Sequence, residues 1–284
     1  MDKIVIRSPA KINLGLNVVK KRNDGYHDIE TIFLPLQLSD IITFEKADKT
    51  LFNSTSDVLN KSEDNLIIKA KRLLEKKTGK EFHLNIFVEK NIPIGGGLGG
   101  GSSNAATTLK AINKLFKFEL NNISLFECAL TLGSDVPYFL NPVPSYAESR
   151  GEILFPMNIE ISYPILVVNP GINISTNRAF SMIKPTLPEN SLRQLTDSSS
   201  LDFEQMKSFI RNDFEPVVFK EYPRIKEIKE KFYEMDAQFA LMSGTGSSVY
   251  GIYTNLQKAY WAEEYFKQNN FTYLNNPFTK GSIT

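Results

Sequence analysis

Chemistry-bearing residues gather in a few short stretches. The first reads Pro93-Ile94-Gly95-Gly96-Gly97-Leu98-Gly99-Gly100-Gly101-Ser102-Ser103, where six of the seven residues from 95 to 101 are glycine. Glycine reaches positive φ without a Cβ penalty and lets other groups approach the main chain, so this run can turn several N–H groups into one concavity. Beyond it, Ala105, Leu109, Ile112 and Phe116 fall at helical spacing. The N-terminus of that helix adds roughly half a positive charge, and Ser102 and Ser103 add hydroxyl donors at the same place. Phosphate is the natural guest of such a cradle. The alternative, a flexible linker, seldom stands between a buried strand and an amphipathic helix.

Transfer of a phosphoryl group needs positioning, charge neutralisation and often a carboxylate to take the proton of the attacking hydroxyl. Gly133-Ser134-Asp135-Val136-Pro137 sets such a carboxylate between a glycine turn and a proline; by itself the pentapeptide also suits a helix cap. In Ser8-Pro9-Ala10-Lys11-Ile12-Asn13-Leu14-Gly15, Lys11 and Asn13 share one strand face while Ile12 and Leu14 occupy the core-like face. A lysine beside a carboxylate keeps it ionised and eases deprotonation of an alcohol. Asp24-Gly25-Tyr26-His27 is a turn followed by two rings, with Phe33 six residues on. These rings suit either core packing or a sandwich around a planar base, with His27 as a directional hydrogen-bonding group.

Other readings fit poorly. With only His27 and His83 in the chain, neither a histidine-built metal site nor a Ser-His-Asp triad is expected. Gly95-x-Gly97-x-x-Gly100 formally matches the dinucleotide fingerprint, but Lys90-Asn91-Ile92-Pro93 separates it from the strand, and residues near 120 lack the acidic group at a strand end. No Gly-Lys-Ser/Thr follows the glycines, and the His-Arg-Asp and Asp-Phe-Gly signatures of protein kinases are missing.

These residues need a scaffold, and 284 residues suffice for a self-sufficient core. The 33 basic against 32 acidic residues give no sign of a protein that wraps a polyanion, so no nucleic acid is expected. The single cysteine, Cys128, stands in an apolar run and reads as a buried thiol in a reducing compartment. The start of the chain shows no signal-like apolar region and no stretch approaches spanning length, so the expectation is a cytoplasmic protein without a membrane. Residues 3–7 and 12–19 read as strands with a turn at Ser8-Pro9 between them, and residues 29–36 and 40–44 as two more. Asp64 or Asn65 caps a helix ending near Gly79, and residues 82–88 form the strand before the glycines. Residues 185–200, rich in Pro, Asn, Asp and Ser, read as a surface loop. Residues 203–210 resume helical spacing, strands 239–242 and 249–253 flank Ser243-Gly244-Thr245-Gly246-Ser247, and a helix over 259–266 follows. This order gives an α+β fold in two lobes joined near residues 155–160.

Taken together, the segments resemble the GHMP kinase superfamily of galactokinase, homoserine kinase and mevalonate kinase, through the run from Pro93 to Ser103 and through Ser243-Gly244-Thr245-Gly246-Ser247-Ser248. Within it, Pro9-Ala10-Lys11-Ile12-Asn13-Leu14, Asp24-Gly25-Tyr26-His27, the doubled triple glycine, Gly133-Ser134-Asp135-Val136-Pro137 and Asn212-Asp213-Phe214-Glu215 resemble the 4-diphosphocytidyl-2-C-methyl-D-erythritol kinase family, in family order over nearly the whole chain. The resemblance implies an N-terminal domain like ribosomal protein S5 domain 2 (1–157), a ferredoxin-like C-terminal domain (158–284), and a cleft between them. It implies ATP-dependent phosphorylation of the 2-hydroxyl of the cytidylyl substrate in the non-mevalonate isoprenoid route, by a monomer or homodimer. Asp135 would be the base and Lys11 its electrostatic partner. Pro93, Ile94, Gly95, Gly96, Gly97, Leu98, Gly99, Gly100, Gly101, Ser102 and Ser103 would hold the ATP phosphates, with Asn65, Leu66 and Lys90 near the adenosine. Tyr26, His27 and Phe33 would receive the cytosine, with Asn13 and Thr176 as further substrate contacts. Mg2+ would be carried mainly by the ATP phosphates, with no metal ligand from the protein. A different acceptor of the mevalonate or homoserine kind, or a paralogue that binds nucleotide without catalysis, are the alternatives. The chain departs from the family where Asn141-Pro142-Val143-Pro144 and Ser149-Arg150-Gly151-Glu152 replace a glycine pair and Gly-x-Gly-Glu.

Overall fold

A computed structural model describes residues 2–160, 162–196 and 202–278. One mixed sheet holds β1 (Lys3–Lys21), β2 (His27–Lys46), β3 (Leu51–Ser54), β4 (Leu84–Glu89), β5 (Ser145–Ser149) and β6 (Ile153–Pro156). A second sheet, in the order β10-β7-β9-β8, holds β7 (Ile165–Asn169), β8 (Phe239–Met242), β9 (Val249–Ile252) and β10 (Phe271–Asn275). Nine α-helices connect the strands among the described residues: α1 (Asp57–Asn60), α2 (Leu66–Thr78), α3 (Gly100–Phe116), α4 (Asn122–Leu132), α5 (Thr176–Met182), α6 (Phe203–Phe209), α7 (Glu215–Glu221), α8 (Pro223–Glu234) and α9 (Leu256–Phe266). None of these helices is long and apolar enough to cross a membrane.

The expected turn at Ser8-Pro9 does not form, and β1 runs on through it. Pro9 pairs with Ser39 and the register slips between Pro9 and Lys11, again between Asn13 and Leu16, and between Val18 and Lys20. A bulge tolerates a residue that cannot donate to the ladder, so the proline bends the strand without ending it. Likewise 29–36 and 40–44 are parts of one strand, β2. Its length lets it pair β1 along one edge and, along the other, β5 through residues 29–33 and β4 through residues 41–46.

Burial sorts β1 into two faces. Ala10, Ile12 and Leu14 pack with Val167, Leu241, Tyr250 and Ile252 in a core shared by the two sheets, which leaves Lys11 and Asn13 on the opposite side. A separate core fills the space between the first sheet and α2, α3 and α4, and holds the buried Cys128, whose thiol pKa burial raises. The stretch 185–200 is not wholly surface. Leu192 and Leu195, on a 3-10 turn (Leu192–Leu195), insert into the shared core, because two leucines three apart eclipse on such a turn and form an apolar edge; residues 197–200 lie outside the described residues. Asn65 caps α2 through its side chain, and Gly79 closes it at φ 66°.

Candidate active site

The glycine run leaves β4 through a tethered linker. Asp40 of β2, fully buried, accepts from the amides of Asn91 and Ile92 at 2.8 Å each and from Lys90 Nζ at 2.7 Å. Gly95, Gly97 and Gly99 then take positive φ of 68°, 75° and 71°, so every second residue is left-handed, the alternation that turns successive amides toward one side. Gly99 ends the loop as the N-cap of α3.

Close approach explains several of these glycines, and the approaching group is the protein itself. A Cβ on Gly97 would meet the Ser243 carbonyl oxygen at 2.1 Å, one on Gly95 the Asn173 amide oxygen at 2.3 Å, and one on Gly99 the Phe139 ring at 2.6 Å. Ser243 Oγ donates to Gly97 O at 2.9 Å and the Ser248 amide to Gly96 O at 3.1 Å. The C-terminal loop 243–248 therefore clasps the back of the glycine run. Leu98, the one side chain in the run, is buried, and its carbonyl accepts from the Lys11 amide at 3.0 Å. A Cβ on Gly101 would meet only Leu66, at an ordinary contact distance of 3.6 Å.

Lys11 projects from β1 with 4% of its side chain exposed. Its Nζ donates to Asn13 Oδ1 at 2.5 Å, stands 3.4 Å from Asp135 Oδ2 and lies 5.0 Å from the centre of the Phe33 ring. Burial lowers the Lys11 pKa, and Asp135 offsets part of that shift. Asp135, a third exposed, follows α4. The buried Val136 anchors it below, donating its amide to Gly133 O at 3.1 Å, and Pro137 opens a 3-10 turn (Pro137–Leu140). Lys110 of α3 donates to the Phe139 and Leu140 carbonyls. The helix that follows the glycine run thus also holds the segment bearing the carboxylate.

Lys11, Asp135, Tyr26, His27, Phe33, Thr176, Leu66, Lys90, Ser102 and all residues from Pro93 to Gly101 line one cavity of about 1000 Å³. Ser103 does not reach it: its hydroxyl is fully buried and lies 2.8 Å from Ser8 Oγ, because one residue further along a helix points about 100° away from Ser102. Asn65 is buried as well, its amide oxygen accepting from the Ile67 amide at 3.0 Å. Asn13 lines the cavity with its amide already engaged, toward Lys11 and, at 2.8 Å, toward Thr31 Oγ1.

At the far end Tyr26 stands half exposed and His27 stacks on Phe180 at 4.9 Å. Burial and Lys21 lower the His27 pKa. Phe33 is not a free ring beside them: it is 1% exposed, packed on Tyr138 at 4.8 Å, and forms the wall beneath Lys11. Sequence reasoning missed Phe180 and Arg150, which line the same end; a phenylalanine on a short helix and an arginine in a hairpin tip carry no local signal. The Asn212-Asp213-Phe214-Glu215 segment supports the site from behind. Asn212 Nδ2 donates to the carbonyls of Met242 and Gly244 at 2.8 Å, and Glu215 Oε1 accepts from the Met242 amide at 3.0 Å.

Models of known families match twice: GHMP kinases N terminal domain over residues 65–141 and GHMP kinases C terminal over residues 193–271. A 4-diphosphocytidyl-2-C-methyl-D-erythritol kinase of Bacteroides fragilis is 41% identical over 258 residues, 88% of this chain and 92% of the relative. One of Chlorobium phaeobacteroides is 38% identical over 98% of this chain and 99% of its own. Among solved structures, a 4-(cytidine 5'-diphospho)-2C-methyl-D-erythritol kinase superposes with a TM-score of 0.80 at 30% identity, covering 95% of this chain and 98% of that one. A homoserine kinase from Cytophaga hutchinsonii, at 17% identity and a TM-score of 0.72, shares the fold.

Proposed function

The chain belongs to the 4-diphosphocytidyl-2-C-methyl-D-erythritol kinases of the GHMP superfamily, and from that premise we propose how its residues divide the work. It is an ATP-dependent kinase of isoprenoid precursor synthesis that acts on 4-diphosphocytidyl-2-C-methyl-D-erythritol. The acceptor oxygen in our reading is the 2-hydroxyl. Asp135 takes its proton, the oxygen attacks the γ-phosphorus, and the bond from that phosphorus to the β-γ bridging oxygen breaks to release ADP. Lys11 offsets the negative charge shared by the carboxylate and the attacking oxygen. The observation that carries this assignment is the 3.4 Å pair of Lys11 and Asp135 opening on the same cavity as the glycine run.

The amides of the loop and of the first turn of α3 receive the triphosphate, with Ser102 as a hydroxyl donor and Leu66 and Lys90 toward the adenosine. Ser103, Asn65 and Asn13 act by holding their neighbours in place. Tyr26, His27 and Phe180 receive the cytosine, with Thr176 beside them. Among the described residues no cluster of three or more His, Cys, Asp or Glu forms a cage, and two of the cavity's oxygen donors, the Asp135 carboxylate and Ser102, fit a Mg2+ ion that arrives on phosphate oxygens, the ligation this ion prefers. When bound there it would supply charge neutralisation for the transferred group. We place the division between the halves after residue 157, between the last strand of the first sheet and the first strand of the second. Transfer of label from the γ-phosphate of ATP to the cytidylyl substrate tests the assignment; preference for mevalonate or homoserine in a panel of acceptors would overturn it.

A further inference from the structure

Arg150 lines the cavity and takes no part in the phosphoryl transfer. Its guanidinium lies 4.5 Å over the centre of the Tyr26 ring. Tyr26 sits at the end of a turn with half its surface exposed, so packing alone leaves its side chain free to swing. The arginine is held on its own side. Its amide donates to Glu152 Oε2 at 2.7 Å and its Nε pairs with Glu152 Oε1 at 3.6 Å, while Ser149 Oγ donates to Glu152 Oε1 at 3.1 Å. Ser149 takes a φ of 63°, a left-handed conformation uncommon for a residue with a Cβ, and so turns the tip of the β5-β6 hairpin toward the turn that carries Tyr26. Arg22 closes the circuit, reaching Ser149 Oγ and Asp28 Oδ1 at 3.0 Å each and both oxygens of Asp24. The same tip approaches the chemical end of the cavity, since a Cβ added to Gly151 would lie 3.7 Å from Asp135 Oδ1.

We propose that Arg150 is a positioning residue for acceptor recognition: its guanidinium clamps one face of the Tyr26 ring and presents the other face, preset, to the planar base of the acceptor. The inference rests on the reading that Tyr26 receives a base. A cation over an aromatic face is attracted by the ring quadrupole, and Arg supplies a flat surface besides its charge. With one face covered, a base stacks on the remaining one without first paying to order the ring.

The test uses the full-length chain, with cytidine diphosphate as a probe of binding by calorimetry and steady-state kinetics with the cytidylyl substrate. Arg150→Gln is expected to weaken cytidine diphosphate binding and raise the acceptor KM about twofold to fivefold, with kcat, the KM for ATP and the melting temperature held. Arg150→Lys, which keeps the cation, is expected to recover most of the loss. An unchanged acceptor KM in Arg150→Gln, or an equal rise in the KM for ATP, would overturn the clamp while leaving base recognition by Tyr26 intact. Failure of the wild-type chain to bind cytidine diphosphate at all would overturn both together.

Discussion

Replacing Lys11 by methionine separates catalysis from stability. At 3.4 Å from Asp135 Oδ2, the lysine's attraction for a full negative charge is about 5 kcal/mol at an effective dielectric of ~20. Asp135 is a third exposed, so solvent screening removes roughly half or more. About 2 kcal/mol remains, roughly a thirtyfold effect on rate, before any loss of alignment; kcat is expected to fall about 30-fold to 300-fold. Stability runs the other way. Burial dominates the lysine's pKa shift, and it is downward, so the folded state disfavours the ammonium. Methionine fills a similar volume without that penalty of several kcal/mol, against a cost of about 1–3 kcal/mol for the donor that Asn13 loses. The melting temperature should hold or rise. The sign also fixes a pH dependence. A lysine whose pKa is lower folded than unfolded destabilises fully below its folded value, and the penalty is relieved as pH climbs from there toward the ordinary 10.5. Urea titrations at increasing pH should therefore show the wild type gaining stability relative to Lys11→Met over that window, a difference in which the buried groups common to both chains cancel, the Cys128 thiol and the Tyr250 hydroxyl with their raised pKa values among them. A variant that loses both activity and several degrees of melting temperature would refute the reasoning, because Lys11 would then be a structural residue.

Asp135→Asn should cut turnover by about 10²- to 10⁴-fold with ATP affinity by calorimetry retained; a loss smaller than tenfold would remove the carboxylate from proton transfer. Gly97→Ala must place a methyl 2.1 Å from the Ser243 carbonyl oxygen at a φ of 75°, so the clasp on the phosphate loop has to open; the KM for ATP should rise at least about tenfold, the scale of a 1–2 kcal/mol backbone cost, and a near-normal value would show that the loop needs no such closeness. Phe180→Ala should weaken the cytidylyl acceptor about fivefold to a hundredfold, the range for loss of one stacked ring, and leave the KM for ATP alone; equal effects on both substrates would place Phe180 outside base recognition.

Local signals survived folding where the chain itself decides the outcome. The alternation at Lys11, Ile12, Asn13 and Leu14 sends the polar pair to one side because strand period is fixed, and Asn65 caps its helix because a side-chain oxygen there has a free amide within reach. Distant partners decided the rest. Pro9 looked like a turn, but pairing with Ser39 absorbs it as a bulge. Ser103 looked like a phosphate donor, but Ser8, 95 residues earlier, draws its hydroxyl inward. Phe33 suited either packing or stacking, and folding sets it against Tyr138 at 4.8 Å while it still lines the cavity. The glycines were legible as a place of close approach, and part of what approaches is the chain's own C-terminal loop, against Gly96 and Gly97, which no reading of the run by itself could reveal.

That clasp sets an order of events during synthesis. Ser243 lies 146 residues downstream of Gly97, so a nascent polypeptide that has extruded every glycine of the loop still lacks the hydroxyl and amide that brace it. Nucleotide should gain no firm hold until translation has passed the Ser243–Ser248 segment, and a gene cut between the two sheets would yield halves that must find each other before either can recognise ATP.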